Sequence, residues 1–272
     1  MSDLLTVIIP NYNNGKYLQQ CIESVMSQTY RPIEVIVVDD CSNDDSKYIL
    51  DALCAEYSNL YVVYQSRNGG VSVARNVGIK CASGKYLTTL DSDDFYINKC
   101  KLENEMHLAV SESCLAYSKI VRVDENGVRT RLQFLENERY LEGDIRCQSM
   151  LCKNMNTIPR DYIVPKSLYD EIGLYNPEMK LYEDLDVLIR LLTKVEAKCT
   201  FEEGTAYRQV QGGLSSRPTL YKIRFRWNLC WRNRKKVQPR ERWILLWGLL
   251  WLRAEQEVKS MVKRLLSHEK NA

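Results

Sequence analysis

The chain has 272 residues, 45% hydrophobic and 27% charged, with 12 Gly, 7 Pro and 10 Cys. That length and apolar fraction suit one large domain with a real core, and they exclude low-complexity disorder and a collagen-like repeat. The formal net charge of +3 averages two unlike pieces: residues 218–272 hold 14 Lys+Arg and 4 Asp+Glu, for +10, while residues 1–217 hold the other 24 and 31, for −7.

Residues 4–9 (LLTVII) are a continuous apolar run ending at Pro10, as expected of a strand buried on both faces. Leu18, Ile22, Val25 and Met26 recur at helical spacing over 16–28. Residues 33–38 (IEVIVV) predict a second strand, closed by Asp39 and Asp40. Asn43, Asp44 and Ser46 are capping types ahead of a helix over 45–57. A third strand is expected over 60–65, a helix over 71–82 after Gly69 and Gly70, and a fourth strand over 85–90, ending at Asp91. This alternation predicts an α/β fold: a Rossmann-like, mostly parallel sheet flanked by helices. Its ligand crevice should lie at the carboxyl ends of the strands. Polar residues gather at those ends, so the first 95 residues are expected to bind a nucleotide.

Residues 114–134 suggest a hairpin turning at Glu125, Asn126 and Gly127, and 183–195 an amphipathic helix opened by acids. From 219 the chain reads as helix, a break near Pro239, then a longer helix to about 266. The charge changes sign near Arg217 and Pro218. The expected organisation is a body over 1–217, divided near 95 into nucleotide and acceptor halves, and a basic helical extension over 218–272.

The cysteines form no CxxC pair, and with only His107 and His268 there is no zinc pattern. The opening segment has no basic leader and reads as strand, so a cytoplasmic protein with reduced thiols is expected. The longest apolar run, WILLWGLLWL at 243–252, is about half of what a bilayer crossing needs. All five tryptophans, Trp227, Trp231, Trp243, Trp247 and Trp251, lie in the basic extension. Two uses stay open for it: a helix on the anionic inner face of a membrane, or a stripe packing on the body or on a second copy. Nothing in the body supports nucleic-acid binding.

The densest chemistry is LDSDD at 90–94. Three carboxylates on one loop repel each other unless a cation or donor neutralises them, and Mg2+ or Mn2+ uses such acids together with substrate phosphates. Taken alone, DSDD reads first as a solvated acidic loop or a helix cap. It is not alone: VIIPNYNNGKYLQQCIESVMSQTYRPIEVIVVDDCSNDDS at 7–46, NGGVSVARNVGIKCASGKYLTTLDSDD at 68–94, IVPKSLYDEIGLY at 163–175 and YEDLDVLIRL at 182–191 occur in order. Together they resemble the family 2 glycosyltransferases of the GT-A fold, bacterial surface-polysaccharide type, over about residues 4–216.

The resemblance implies roles for matching positions. Pro10, Tyr12 and Asn13 would line the base, Asp40 would accept from the uracil ring, and Arg75 would approach the nucleotide. Asp91 and Ser92 would lie near the ribose and diphosphate, and Asp93 would hold Mn2+ or Mg2+. Asp184 would be the catalytic base, supported by Glu183 and with Asp186 as a rival, because a sugar hydroxyl needs a nearby carboxylate to take its proton. The implied activity is inverting, metal-dependent transfer from a nucleotide sugar, a UDP-sugar first, to a glycan or lipid-linked acceptor. Many relatives carry a histidine after a Tyr-Arg pair; this chain has Val210 there, with Gln209 and Gln211 as substitutes. That departure keeps a noncatalytic sugar-nucleotide or glycan-binding homologue open as the alternative. A nicotinamide-dependent oxidoreductase is disfavoured, since PNYNNG rather than G-x-G-x-x-G follows the first strand.

Overall fold

The computed structural model describes residues 2–130 and 158–209, together with Phe225, Asn228, Leu229, Trp231 and Arg232. The first half runs β1 (Leu5–Asn11), α1 (Gly15–Met26), β2 (Ile33–Asp39), α2 (Ser46–Glu56), β3 (Leu60–Tyr64), α3 (Val71–Cys81) and β4 (Tyr86–Thr89). It continues through β5 (Phe95–Tyr96), α4 (Lys101–Glu112), β6 (Leu115–Val123), β7 (Val164–Pro165), a short helix α5 (Ser167–Ile172), α6 (Glu183–Leu191) and β8 (Ala197–Arg208).

Five strands form one sheet in the order β3-β2-β1-β4-β7, parallel except for the last pair. Every residue of β1 is buried, which is why its sequence is an unbroken apolar run. Alternate side chains go to opposite faces. Ile8, Ile36 and Val38 join Ala74 and Ile79 of α3 in one cluster; Val7, Ile9, Val35 and Val37 join Leu18 and Ile22 of α1 and Leu50 of α2 in the other. The α3 side is unusually close. A Cβ added at Gly78 would lie 2.3 Å from Ile8 Cγ2, so this helix meets β1 through a position with no side chain.

Pairing between β1 and β4 runs from Leu5↔Tyr86 to Ile8↔Thr89, and Leu90 N–H donating to the Ile8 carbonyl is its last link. Beyond it the strands part. The Ile8 carbonyl faces β4 while the Asn11 carbonyl faces β2, where it accepts from Asp40 N–H at 2.8 Å. Pro10 therefore turns its missing N–H toward the side that β4 has left, so a proline is tolerated in a central strand. The gap opened there is the crevice expected at the carboxyl ends.

A second sheet, β5-β8-β6, packs beside the first, with β8 parallel to β6 and antiparallel to β5. The hairpin expected over 114–134 is reduced. After Val123 the chain turns through Asp124–Gly127 and returns by one bridge, Val123↔Arg129, and the main partner of β6 is β8. Residues 131–134 lie outside the described residues. The acidic helix ends at Leu191, with turns to Val195.

Leu229 is fully buried in the cluster that contains Leu185, Leu188 and Ile189 of α6, whereas Trp231 is exposed. The start of the basic extension thus packs on the body. The Trp243, Trp247 and Trp251 stripe and the break near Pro239 lie outside the described residues. Among the described residues no helix is long and apolar enough to cross a membrane.

Candidate active site

The strand ends supply the site in layers. After β1, Tyr12 stands exposed on the rim and Asn13 takes a left-handed φ of 54°. Its amide nitrogen donates to Ser42 Oγ, and its side-chain oxygen accepts from Asn43 N–H. Asn14 donates to the Oγ of buried Ser92, tying the β1 loop to the acidic loop. Asp39 closes the base of the β2 loop by accepting from Asn11 and Ser42.

Asp40 is buried and accepts from Gln65 Nε2 at 2.6 Å, Gly69 N–H at 2.8 Å and Gly70 N–H at 2.7 Å. A carboxylate offers about four acceptor positions, so about one remains for a ligand. Gly70 makes this cradle possible: its φ of 86° is costly for any residue with a Cβ.

The acidic loop follows β4. Asp91, Asp93 and Asp94 present one oxygen each within 4.8 Å of one another. Their environments differ. Burial opposes charge on Asp91, but the guanidinium groups of Arg160 and Arg75 outweigh it and hold its carboxyl below the usual range. Burial and then the Asp91 charge push Asp93 up to about 6, and burial with both neighbouring charges pushes Asp94 well up. Asp94 accepts from Arg208 N–H at 2.7 Å, while Arg208 Nε donates to the Asp93 carbonyl and its Nη2 to Gln20 of α1. Arg208 thus fixes the loop's backbone and leaves the Asp93 carboxylate without an ion pair among the described residues. A half-buried carboxyl that resists ionisation beside two more acids is a donor set that a hard divalent cation fits.

Arg75 is fully buried. Its Nη2 donates to Asp91 Oδ1 at 2.8 Å, its Nη1 to Glu183 Oε1 at 3.0 Å, and its guanidinium lies 5.3 Å from the Tyr175 ring centroid. The side chain is committed to two acids from opposite halves of the chain. Burial and then Asp184 raise Glu183. Asp184 follows at the start of α6, where Tyr182 holds a left-handed φ of 62°, an uncommon geometry for a bulky residue and one typical of functional turns. Asp184 Oδ1 accepts from Leu185 N–H at 2.8 Å. Asp186, by contrast, is buried and pairs with Arg190 at 3.0 Å.

One site residue has no counterpart in the sequence expectations. Arg160 Nη1 lies 2.5 Å from Asp91 Oδ2, its Nη2 donates to Tyr207 Oη at 3.0 Å, and its Nε is 3.9 Å from Asp184 Oδ2. A lone arginine in a stretch without periodicity carries no sequence signal. Val210 and Gln211 lie outside the described residues; Gln209 N–H donates to the Val123 carbonyl.

The family model described as "Glycosyl transferase family 2" matches residues 6–169, more than half of the chain. The chain belongs to glycosyl transferase family 2. Among curated family members, it is 47% identical over 94 residues to the glycosyltransferase GlyG of Streptococcus pneumoniae serotype 4, covering 35% of this chain and 31% of that protein. It is 39% identical over 111 residues to TuaG of Bacillus subtilis strain 168, named as a teichuronic acid biosynthesis glycosyltransferase, covering 41% and 44%. The chain thus spans less than half the length of these two relatives. Among solved structures, Staphylococcus aureus TarS 1–349 in complex with UDP-GlcNAc superposes with a TM-score of 0.63 at 23% identity, covering 84% of this chain and 66% of that one. That likeness shows the GT-A type of α/β fold.

Proposed function

We propose that the chain is an inverting glycosyltransferase that moves a sugar from a nucleotide donor, a UDP-sugar first, to a hydroxyl of a glycan or lipid-linked acceptor in surface polysaccharide synthesis. The observation that carries this reading is the span of Arg160. One guanidinium reaches both Asp91 on the donor-side loop and Asp184 on α6. The acids read as donor-side and acceptor-side are therefore within one small group of each other, the arrangement direct displacement requires.

In this reading Tyr12 and Asn13 receive the base, and Asp40 offers its remaining acceptor position to a ring N–H. Asp184 has one oxygen engaged by Leu185 N–H, and the other takes the proton of the incoming hydroxyl as it attacks the anomeric carbon. With a single base opposite a single leaving group, configuration inverts. Asp93, with Asp91 and Asp94 beside it, would hold Mn2+ or Mg2+, which stabilises charge developing on the departing diphosphate. TarS structures with UDP and with UDP-GlcNAc support the donor class.

A donor screen that reads nucleotide release in the presence of acceptor tests the proposal. Asp184→Asn is expected to lower turnover by about 10²- to 10⁴-fold, the range of a positioned general base. Equal turnover by wild type and Asp184→Asn would remove the base assignment. UDP should bind more tightly with Mn2+ than without, and Asp93→Ala should abolish that difference. Nucleotide binding without turnover of any donor would favour a noncatalytic homologue.

A further inference from the structure

Asp91 divides its two oxygens between two arginines, and each arginine continues to a different acid at the start of α6. Oδ1 meets Arg75, which goes on to Glu183; Oδ2 meets Arg160, which goes on to Asp184. Since Glu183 and Asp184 are consecutive, these five residues form a closed ring across the crevice. Its two sides are unlike. Arg75 is 1% exposed and hydrogen-bonded to both acids, so it is a fixed strut. Arg160 is 29% exposed, so its side chain is open to solvent where Arg75 is not.

We infer that Arg160 is a positioning residue for the transfer step, holding Asp184 in register with the donor-side loop while leaving its outer oxygen free to take a proton. The inference rests on Asp184 being the base. Three observations carry it. The backbone of Arg160 is seated on β4: its carbonyl accepts from Thr89 Oγ1, and the next carbonyl, Asp161, accepts from Thr88 Oγ1, each at 2.9 Å. The Asp161 carboxylate in turn meets buried Lys101 and Thr205 of β8. The guanidinium has little freedom, since Nη1 is held by Asp91, Nη2 by Tyr207 Oη, and its plane lies over the Tyr207 ring at 5.2 Å. Finally, the 3.9 Å separation from Asp184 is close enough for charge attraction and too long for a hydrogen bond. A direct charge-assisted hydrogen bond would take one of that oxygen's two acceptor positions and lower its basicity. The observed spacing orients the carboxylate without blocking it.

A double-mutant cycle on the whole protein, with Mn2+ and the donor found by the screen, decides the matter. Arg160→Met, Asp184→Asn and the double variant are compared for kcat, donor KM and UDP affinity, with single-turnover conditions for weak variants. Arg160→Met is expected to lower kcat by roughly 30- to 100-fold, as a misplaced reacting group does. UDP affinity should change by less than about threefold. In the Asp184→Asn background, removing Arg160 should cost less than about threefold more, because a residue acting through Asp184 has nothing left to position. Additive losses with an impaired Asp184→Asn would overturn the inference and leave the base reading intact. An unimpaired Asp184→Asn would overturn the base reading itself, and the inference with it. If Arg160→Met fails to fold by circular dichroism, Arg160→Lys carries the same cycle: it keeps the charge and UDP affinity, yet it cannot span Asp91 and Asp184, so kcat stays low.

Discussion

Two groups of carboxylates meet at one peptide bond. Arg160 sends its side chain to the first, which contains Asp91 and neighbours Asp93, Asp94 and Asp184; Asp161, the next residue, sends its side chain to the second, with Glu105 and Lys101. The second group is closed. Lys101 Nζ lies 2.8 Å from Glu105 and 3.2 Å from Asp161, over the Tyr96 ring, and all three charged residues are buried. One lysine serves two acids, so burial pushes Glu105 up to about 7 and a proton can complete the balance. The first group is open: its arginines are spent on Asp91, Glu183 and Asp184, and Asp93 is left with an unfavourable charge. The same residue types build a neutralised internal brace in one place and, in the other, leave the Asp93 carboxylate without an ion pair among the described residues. What separates them is whether the counter-charge is part of the chain.

The largest expected effect comes from removing that internal counter-charge. Lys101→Met should destabilise the protein by about 3–5 kcal/mol in chemical unfolding at neutral pH, as breaking one partner of a buried pair does. A loss near zero would mean that the brace stabilises nothing. The pH dependence comes next. Because the folded protein raises Glu105, it binds that proton more tightly than the unfolded chain. The contribution is fully present below about pH 4.5 and is lost as pH rises through about 7, by up to about 3 kcal/mol. Glu105→Gln should flatten this part of the unfolding profile, and an unchanged profile would assign it elsewhere. In the open group the sign reverses for a deletion. Without metal, Asp93→Asn should raise stability by about 1–2 kcal/mol at pH 8, since it removes a charge that burial and Asp91 oppose. A loss instead would mean that Asp93 already has a partner. Smallest of all, Tyr207→Phe removes one hydrogen bond from Arg160 and keeps the ring beneath it, and should lower kcat by less than about tenfold.

The parallel half of the fold was legible because its strands are buried on both faces and therefore read as apolar runs such as LLTVII and IEVIVV. The polar loops were legible because acids and asparagines punctuate each run. The second half hid its elements in charge. The sequence of α4 begins with Lys101 and continues through Glu105, residues that normally face water, and here both point into the brace. Strand β8 carries Lys198 at a half-buried position and Glu202 and Glu203 at exposed ones, and it pairs in parallel with a strand far back in the chain, so neither periodicity nor a turn announces it. Arg75 was visible as a motif residue; its enclosure between Asp91 and Glu183 was not, because its partners come from opposite halves. Arg160 has no pattern around it, and only the folded neighbourhood gives it meaning.

The missing side chain at Gly78 has a consequence for how mutations are tolerated. Gly78 follows Arg75 by three residues on α3, so a displacement of the helix at Gly78 is carried to Arg75. A single methyl at 78 would push the helix off β1, and the first casualty would be the reach of Arg75 to Asp91 and Glu183. The position carries neither side chain nor charge, yet it sets the gauge of the charged ring. Gly78→Ala should therefore lower stability by about 1–3 kcal/mol as well as turnover, since it overpacks a buried contact.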